Sequence, residues 1–138
     1  MPAISVSPGI LAVLQRPLDA AFVSLRPDGS PEIAPVWFIW RDGAVIVSTS
    51  AETRRWANLR QDPRCSILID DIANGCYVAI YGRAELITGD VRALTRDVVA
   101  KYVEAERVDS YLTDTVYTGA ERTIIRVAPD RLAAFGVD

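Results

Sequence analysis

Short blocks of apolar and polar residues alternate along this 138-residue chain, and turn-forming residues separate most of them. Ile10, Leu11, Val13 and Leu14 form one apolar set after Ser7-Pro8, which predicts a short helix to about Gln15 that Pro17 stops. Asp19 to Leu25 reads as a strand, and Pro27-Asp28-Gly29-Ser30 as a turn. Glu32 to Trp40 reads as a second strand, and Arg41-Asp42-Gly43 turns the chain into a third, Ala44 to Thr49. A helix from Thr53 to about Gln61 follows, ended by Asp62-Pro63. Cys65 to Asp70 and Tyr77 to Ile87 read as strands joined by a polar connection, and Gly82 in the longer one signals a bulge or a close backbone approach. From Gly89-Asp90 to about Glu106, Val91, Leu94, Val98, Val99, Tyr102 and Val103 recur at helical spacing. Tyr111 to Thr118 has no clear period. Arg122 to Val127 is a sixth strand, Pro129-Asp130 a turn, and Leu132 to Phe135 a seventh.

Strands joined by hairpins too short for parallel crossovers, and interrupted by helices, predict a mainly β fold. The expected architecture is an antiparallel barrel of six or seven strands with helical insertions, in one domain over residues 1–138. Half the residues are apolar, enough for a real core. A net charge of −3 argues against a nucleic-acid or membrane-surface partner. The apolar runs are far below the ~18 residues of a membrane span, and no signal peptide is recognised at the start, so a cytoplasmic protein is expected. There is no histidine, which removes Ser-His-Asp and Cys-His catalysis and every histidine-containing metal site. Cys65 and Cys76 are expected in the core on neighbouring strands.

Candidate chemistry concentrates between Pro31 and Arg64. Thr53-Arg54-Arg55 opens a helix, where free N–H groups and the helix dipole favour an anion. Two arginines in a first turn oppose that dipole unless an anion lies between them, and arginine pairs its donors with phosphate oxygens. Pro35-Val36-Trp37-Phe38 offers an apolar, aromatic surface suited to a flat ring. Trp37 and Phe38 point to opposite faces of a strand, so both faces need covering, by a ring or by a second copy of the chain. Thr49-Ser50 supplies hydroxyls just before the helix. Glu32, Asp70 and Asp71 are read as solvated charges.

Gly29, Pro31, Pro35-Val36-Trp37-Phe38, Ser48-Thr49, Thr53-Arg54-Arg55, Asn58-Leu59-Arg60, Asp62-Pro63-Arg64 and the later strand Val78 to Glu85 together resemble the pyridoxamine-5′-phosphate-oxidase-like split-barrel flavoproteins. The likeness runs from about Leu11 to Phe135. It implies an FMN-binding type of split barrel and an obligate homodimer with cofactor sites at its interface. It also implies that Ile33, Ala34, Pro35, Val36, Trp37 and Phe38 line a ring, and that Thr49 and Ser50 touch the ring or its ribityl chain. Thr53, Arg54 and Arg55 would bind phosphate with Asn58 and Arg60 nearby, and Tyr77 would reach the site from the second subunit.

The chain departs from the true pyridoxamine oxidases. Ile33 and Phe38 stand where those carry basic residues, and the chain ends at Gly136-Val137-Asp138 without their substrate-binding Trp and Arg. The wording PVWF and NLRxDPR looks closer to the branch that uses the deazaflavin coenzyme F420. The activity implied is hydride transfer from reduced F420 to a small unsaturated substrate, with an FMN-dependent oxidoreductase or a non-catalytic cofactor-binding protein as alternatives. No titratable catalytic residue is then required.

Overall fold

The structure is a computed structural model describing residues 4–137, so Asp138 lies outside it. Seven strands form one antiparallel sheet: β1 (Ala20–Leu25), β2 (Pro31–Val36), β3 (Ile39–Arg41), β4 (Ala44–Ser50), β5 (Arg64–Asp71), β6 (Cys76–Ile87) and β7 (Arg122–Phe135). Their spatial order is β2-β1-β5-β6-β7-β4-β3. The α-helices are α1 (Pro8–Gln15), α2 (Arg54–Gln61), α3 (Arg92–Tyr102) and α4 (Val108–Tyr111). No helix among the described residues is long and apolar enough to cross a membrane.

The order of strands explains the shape. β2 and β3 lie at opposite edges of the sheet, yet only Trp37 and Phe38 separate them in the chain. Three Cα steps span at most about 11 Å. The sheet must therefore curl until its two edges meet, which makes the expected barrel and leaves a split where no ladder joins β2 to β3. The strand expected from Glu32 to Trp40 is broken at this split. Two side chains of α3 hold the break. Tyr102 Oη accepts from the Phe38 N–H (3.1 Å) and donates to the Leu18 carbonyl (2.8 Å). Lys101 Nζ donates to the carbonyls of Phe38 and Leu14, both at 2.9 Å, and sits 3.7 Å from the centre of the Phe38 ring.

The two faces of the broken strand have different covers. Phe38 is fully buried in the barrel interior with Phe22, Val45, Val47, Ile67, Val78 and Ile125. Trp37 lies outside and stacks on Tyr102 (4.7 Å between centroids, 3° between planes) and on Tyr111 (5.6 Å). Ile39, Ile46 and Ile124 are covered by Val98 of α3 and by Val91, which precedes that helix. Helices of the same chain thus cover this part of the outer face, for which a second copy was one expectation.

Two further boundaries move. The helix expected to Glu106 ends at Tyr102, and Val103 is extended (φ −110°, ψ 138°). The bend lets Val103, Val108 and Leu112 pack back around Val99. The unassigned stretch becomes α4 and a π-helical turn, Leu112–Val116. The two strands expected at the end are one, because Pro129 pairs with Gly82 beside a bulge instead of making a turn. Arg131 pairs with Tyr81, which leaves Asp130 as the extra residue. Gly82 meets both readings made of it: a Cβ there would lie 2.7 Å from the Ala128 carbonyl oxygen.

The acidic residues are not the solvated charges expected, except Asp70, which is exposed. Asp71 is buried and bonds Asn74 and Arg16; the Asn74 amide, then Arg16 at 2.6 Å, hold its carboxyl below the usual range. Glu32 is half-buried and ties together Asn58, Arg26 and Arg54. Cys65 and Cys76 are free and buried, as expected.

Candidate cofactor site

The residues around the split form two cavities that share one arginine. The first, about 450 Å³, has Pro35, Val36, Trp37 and Tyr111 on one side, with Val98, Val99 and Val116 from the helices. Its polar wall is Ser48, Arg55, Arg122, Thr115 and Asp19. The second, about 310 Å³, is lined by Phe22, Ser24, Glu32, Ile33, Ala34, Thr53, Arg54 and Arg55. Arg55 stands in the wall between them.

Local sequence explains how α2 presents its first turn. Thr53 is extended and its hydroxyl accepts from the Trp56 N–H at 3.1 Å, an N-cap. The first bond of α-helical type is Ala57 N–H to the Thr53 carbonyl. The N–H groups of Arg54 and Arg55 precede it and have no intrahelical acceptor. Trp56 and Leu59 anchor the helix in the core.

The two arginines of this turn differ. Arg54 is 71% exposed and pairs with Glu32 at 3.4 Å. Arg55 turns inward, where its Nη2 donates to Thr49 Oγ1 at 3.0 Å and its Nε is buried without a partner. Arg122, at the start of β7, donates from Nη2 to Ser48 Oγ at 3.0 Å, and its Nε is also buried without a partner. Burial, and then the charge of Arg122, push the Arg55 guanidinium down from its ordinary value, against Glu32. Burial does the same to Arg122, against Tyr117 and Tyr111. Both remain cations at neutral pH. Buried donors without acceptors are uncommon and expensive, and both arginines that carry them line the first cavity, where two cations suit a phosphate.

Of the residues anticipated from sequence, Ile33, Ala34, Pro35, Val36, Trp37, Thr53, Arg54 and Arg55 line the two cavities. Phe38, Thr49, Ser50, Asn58, Arg60 and Tyr77 do not. Phe38 faces the core. Thr49 lies behind Arg55, and Ser50 Oγ accepts from the Glu52 N–H, so the strand hydroxyl on the cavity is Ser48. The buried Asn58 amide donates to Ser24 and Glu32, which makes it a brace for α2. Arg60 is exposed on that helix. Tyr77, expected to reach the site from a second subunit, stacks on its register partner Phe135. Sequence reasoning missed Ser48 as a wall residue, and also Arg122 and Tyr111. Ser48 sat in the quoted motif, but nothing local marked the other two.

The architecture has relatives among solved structures. A structure named F420 reductase is 25% identical, with a TM-score of 0.78 over 93% of this chain and 98% of that one. A conserved hypothetical protein from Mycobacterium tuberculosis (23% identity, TM-score 0.74, 96% and 86% covered) and General Stress Protein 26 from Bacillus anthracis (15%, 0.71, 94% and 93%) share the fold. The family profile for pyridoxamine 5′-phosphate oxidase matches residues 7–135, nearly the whole barrel. With the split sheet, the ring-sized slot and the arginine-lined wall in hand, that match settles the lineage: the chain belongs to the pyridoxamine 5′-phosphate oxidase family, split-barrel oxidoreductases that bind flavin-type cofactors.

Proposed function

We propose that the protein is a coenzyme F420-dependent oxidoreductase that passes hydride from the reduced deazaflavin to a small, flat, unsaturated substrate. The observation that carries this reading is the first cavity, where an aromatic slot ends on Arg55, an arginine with an unused buried donor. A tricyclic ring fits against Pro35, Val36 and Trp37, and its ribityl phosphate then meets Arg55 and the free N–H groups of the α2 start. The second cavity continues from Arg55 past Arg54, which gives a lactyl and glutamyl tail a route with a cation beside it. The likeness to the F420 reductase supports the same choice. Bound, the cofactor supplies the hydride. The chain's own residues orient the ring, and the proton that completes the reduction comes from solvent at the open mouth of the cavity, so no side chain is required to deliver it.

An FMN-dependent oxidoreductase is the second reading. A terminal phosphate monoester brings two negative charges, and a second cation, Arg122, lines the same cavity. Steady-state turnover tests the enzymatic claim: reduced F420 is consumed when a quinone or enone is added to the protein and cofactor. No consumption above the protein-free rate, with cofactor bound, would leave a carrier protein instead.

The proposed assembly is a cytoplasmic homodimer. Pro35, Ala21, Leu68, Ala79 and Ala133 stand side by side across β2, β1, β5, β6 and β7. This row of apolar and small side chains lies on the sheet face away from the core. Ile33 (67% exposed) and Phe135 (63%) extend it. Such a flat patch fits a second copy of itself, and Pro35 joins it to the first cavity. We expect a dimer burying more than ~2,000 Å² in total. A stable monomer at micromolar concentration in sedimentation velocity would overturn it.

A further inference from the structure

Arg122 is remote in sequence from the motif that opens α2, and no local pattern links the two. The curl of the sheet brings them to one cavity. Arg122 reaches it from the outer face of β7 and Arg55 through the split, and they donate to neighbouring hydroxyls of β4, Ser48 and Thr49. Each keeps a buried Nε–H with no acceptor. Asp19, the carboxylate on this wall, makes no ion pair with either, and Glu32 is engaged by Asn58, Arg26 and Arg54. Two like charges converging on one cavity repel, and an anion between them reverses the sign of that interaction.

We propose that Arg55 and Arg122 are the two jaws of a clamp that holds the phosphate of the ring-bearing ligand between them, with Ser48 positioning Arg122. This rests on the reading of the cavity as a cofactor site and adds a binding residue to it from outside the α2 motif. The ligand chemistry is a phosphate group, whether the terminal monoester of FMN or the bridging diester of the deazaflavin. The clamp also makes anion binding stabilise the fold, because binding relieves repulsion between arginines of two elements, α2 and β7, that line one cavity.

The test uses cofactor-free protein, with Arg55→Gln, Arg122→Gln and Arg122→Lys variants. Inorganic phosphate should raise the melting temperature of the wild type, and both Gln variants should lose that protection. Affinity for the cofactor that the wild type binds should fall about tenfold or more in Arg122→Gln. Arg122→Lys, which keeps the charge without the Nε donor, should recover part of both effects, and it keeps the test readable if the Gln variant does not fold. A larger loss for FMN than for the deazaflavin identifies the monoester as the occupant, and an equal loss the diester. Wild-type phosphate protection and cofactor affinity in Arg122→Gln, with both lost in Arg55→Gln, would overturn the clamp and leave the cofactor site standing. Full cofactor affinity in both Gln variants would overturn the clamp and the cofactor site together.

Discussion

Arg55→Gln should weaken cofactor binding roughly 10- to 150-fold, the loss of one charge-assisted hydrogen bond worth on the order of 1.5–3 kcal/mol. Arg54→Ala should weaken it by no more than about fivefold, the range of an exposed ion pair. From sequence the two are equivalent, adjacent arginines in one helical turn. The structure separates them. Arg54 is largely in water and already has a partner in Glu32. Arg55 is desolvated, and low local dielectric strengthens whatever anion it meets. Its Nε has no competing acceptor. Isothermal titration of the two variants checks the contrast. Equal losses, or a larger loss for Arg54, would move the phosphate out to the helix surface.

Tyr102→Phe should cost on the order of 1–3 kcal/mol of stability and weaken cofactor binding as well. The hydroxyl satisfies the Phe38 N–H and the Leu18 carbonyl at the split, and the substitution leaves both without it. Burial pushes this phenol up to about 12, so it keeps its proton and remains a donor through the neutral range. The Phe ring preserves the stack on Trp37, so the loss reports on the hydrogen bonds alone. Tyr102→Ala removes the stack too and should cost more. Urea denaturation of the two variants measures both. Wild-type stability in Tyr102→Phe would mean that the split is held by Lys101 and packing alone.

Features with local causes were legible in the sequence. Asp42-Gly43 forms the hairpin turn it signals, with positive φ at both residues (51° and 74°). Thr53 caps α2, and Asp62 ends it in extended backbone before Pro63. Gly82 marks the close approach of β7. Features caused by distant partners were not legible. Pro35 suits an edge strand, but no residue marks the break at Trp37-Phe38, where Lys101 and Tyr102 bond the Phe38 backbone from α3. The strand expected at Leu132 was separated from its neighbour because Pro129 reads as a turn until Gly82 is seen beside it. The site divides the same way. Pro35 to Trp37 and the arginine pair of α2, anticipated from one motif, line the cavities. Arg122 and Tyr111 belong to the site only because the sheet curls and α3 bends, which residue order alone does not express. Asn58 lies within the motif too, and its amide donates to Ser24 and Glu32.

The central claim is that the arginine-lined slot holds a deazaflavin. Titration of cofactor-free protein with F420 and with FMN, each at low and moderate salt, tests it most directly. The tail carboxylates of F420 add charges that FMN lacks, and in the second cavity they would meet Arg54 beside its partner Glu32. F420 should therefore bind more tightly, with an affinity that falls more steeply as salt rises. Tight binding of FMN with no measurable binding of F420 would contradict it.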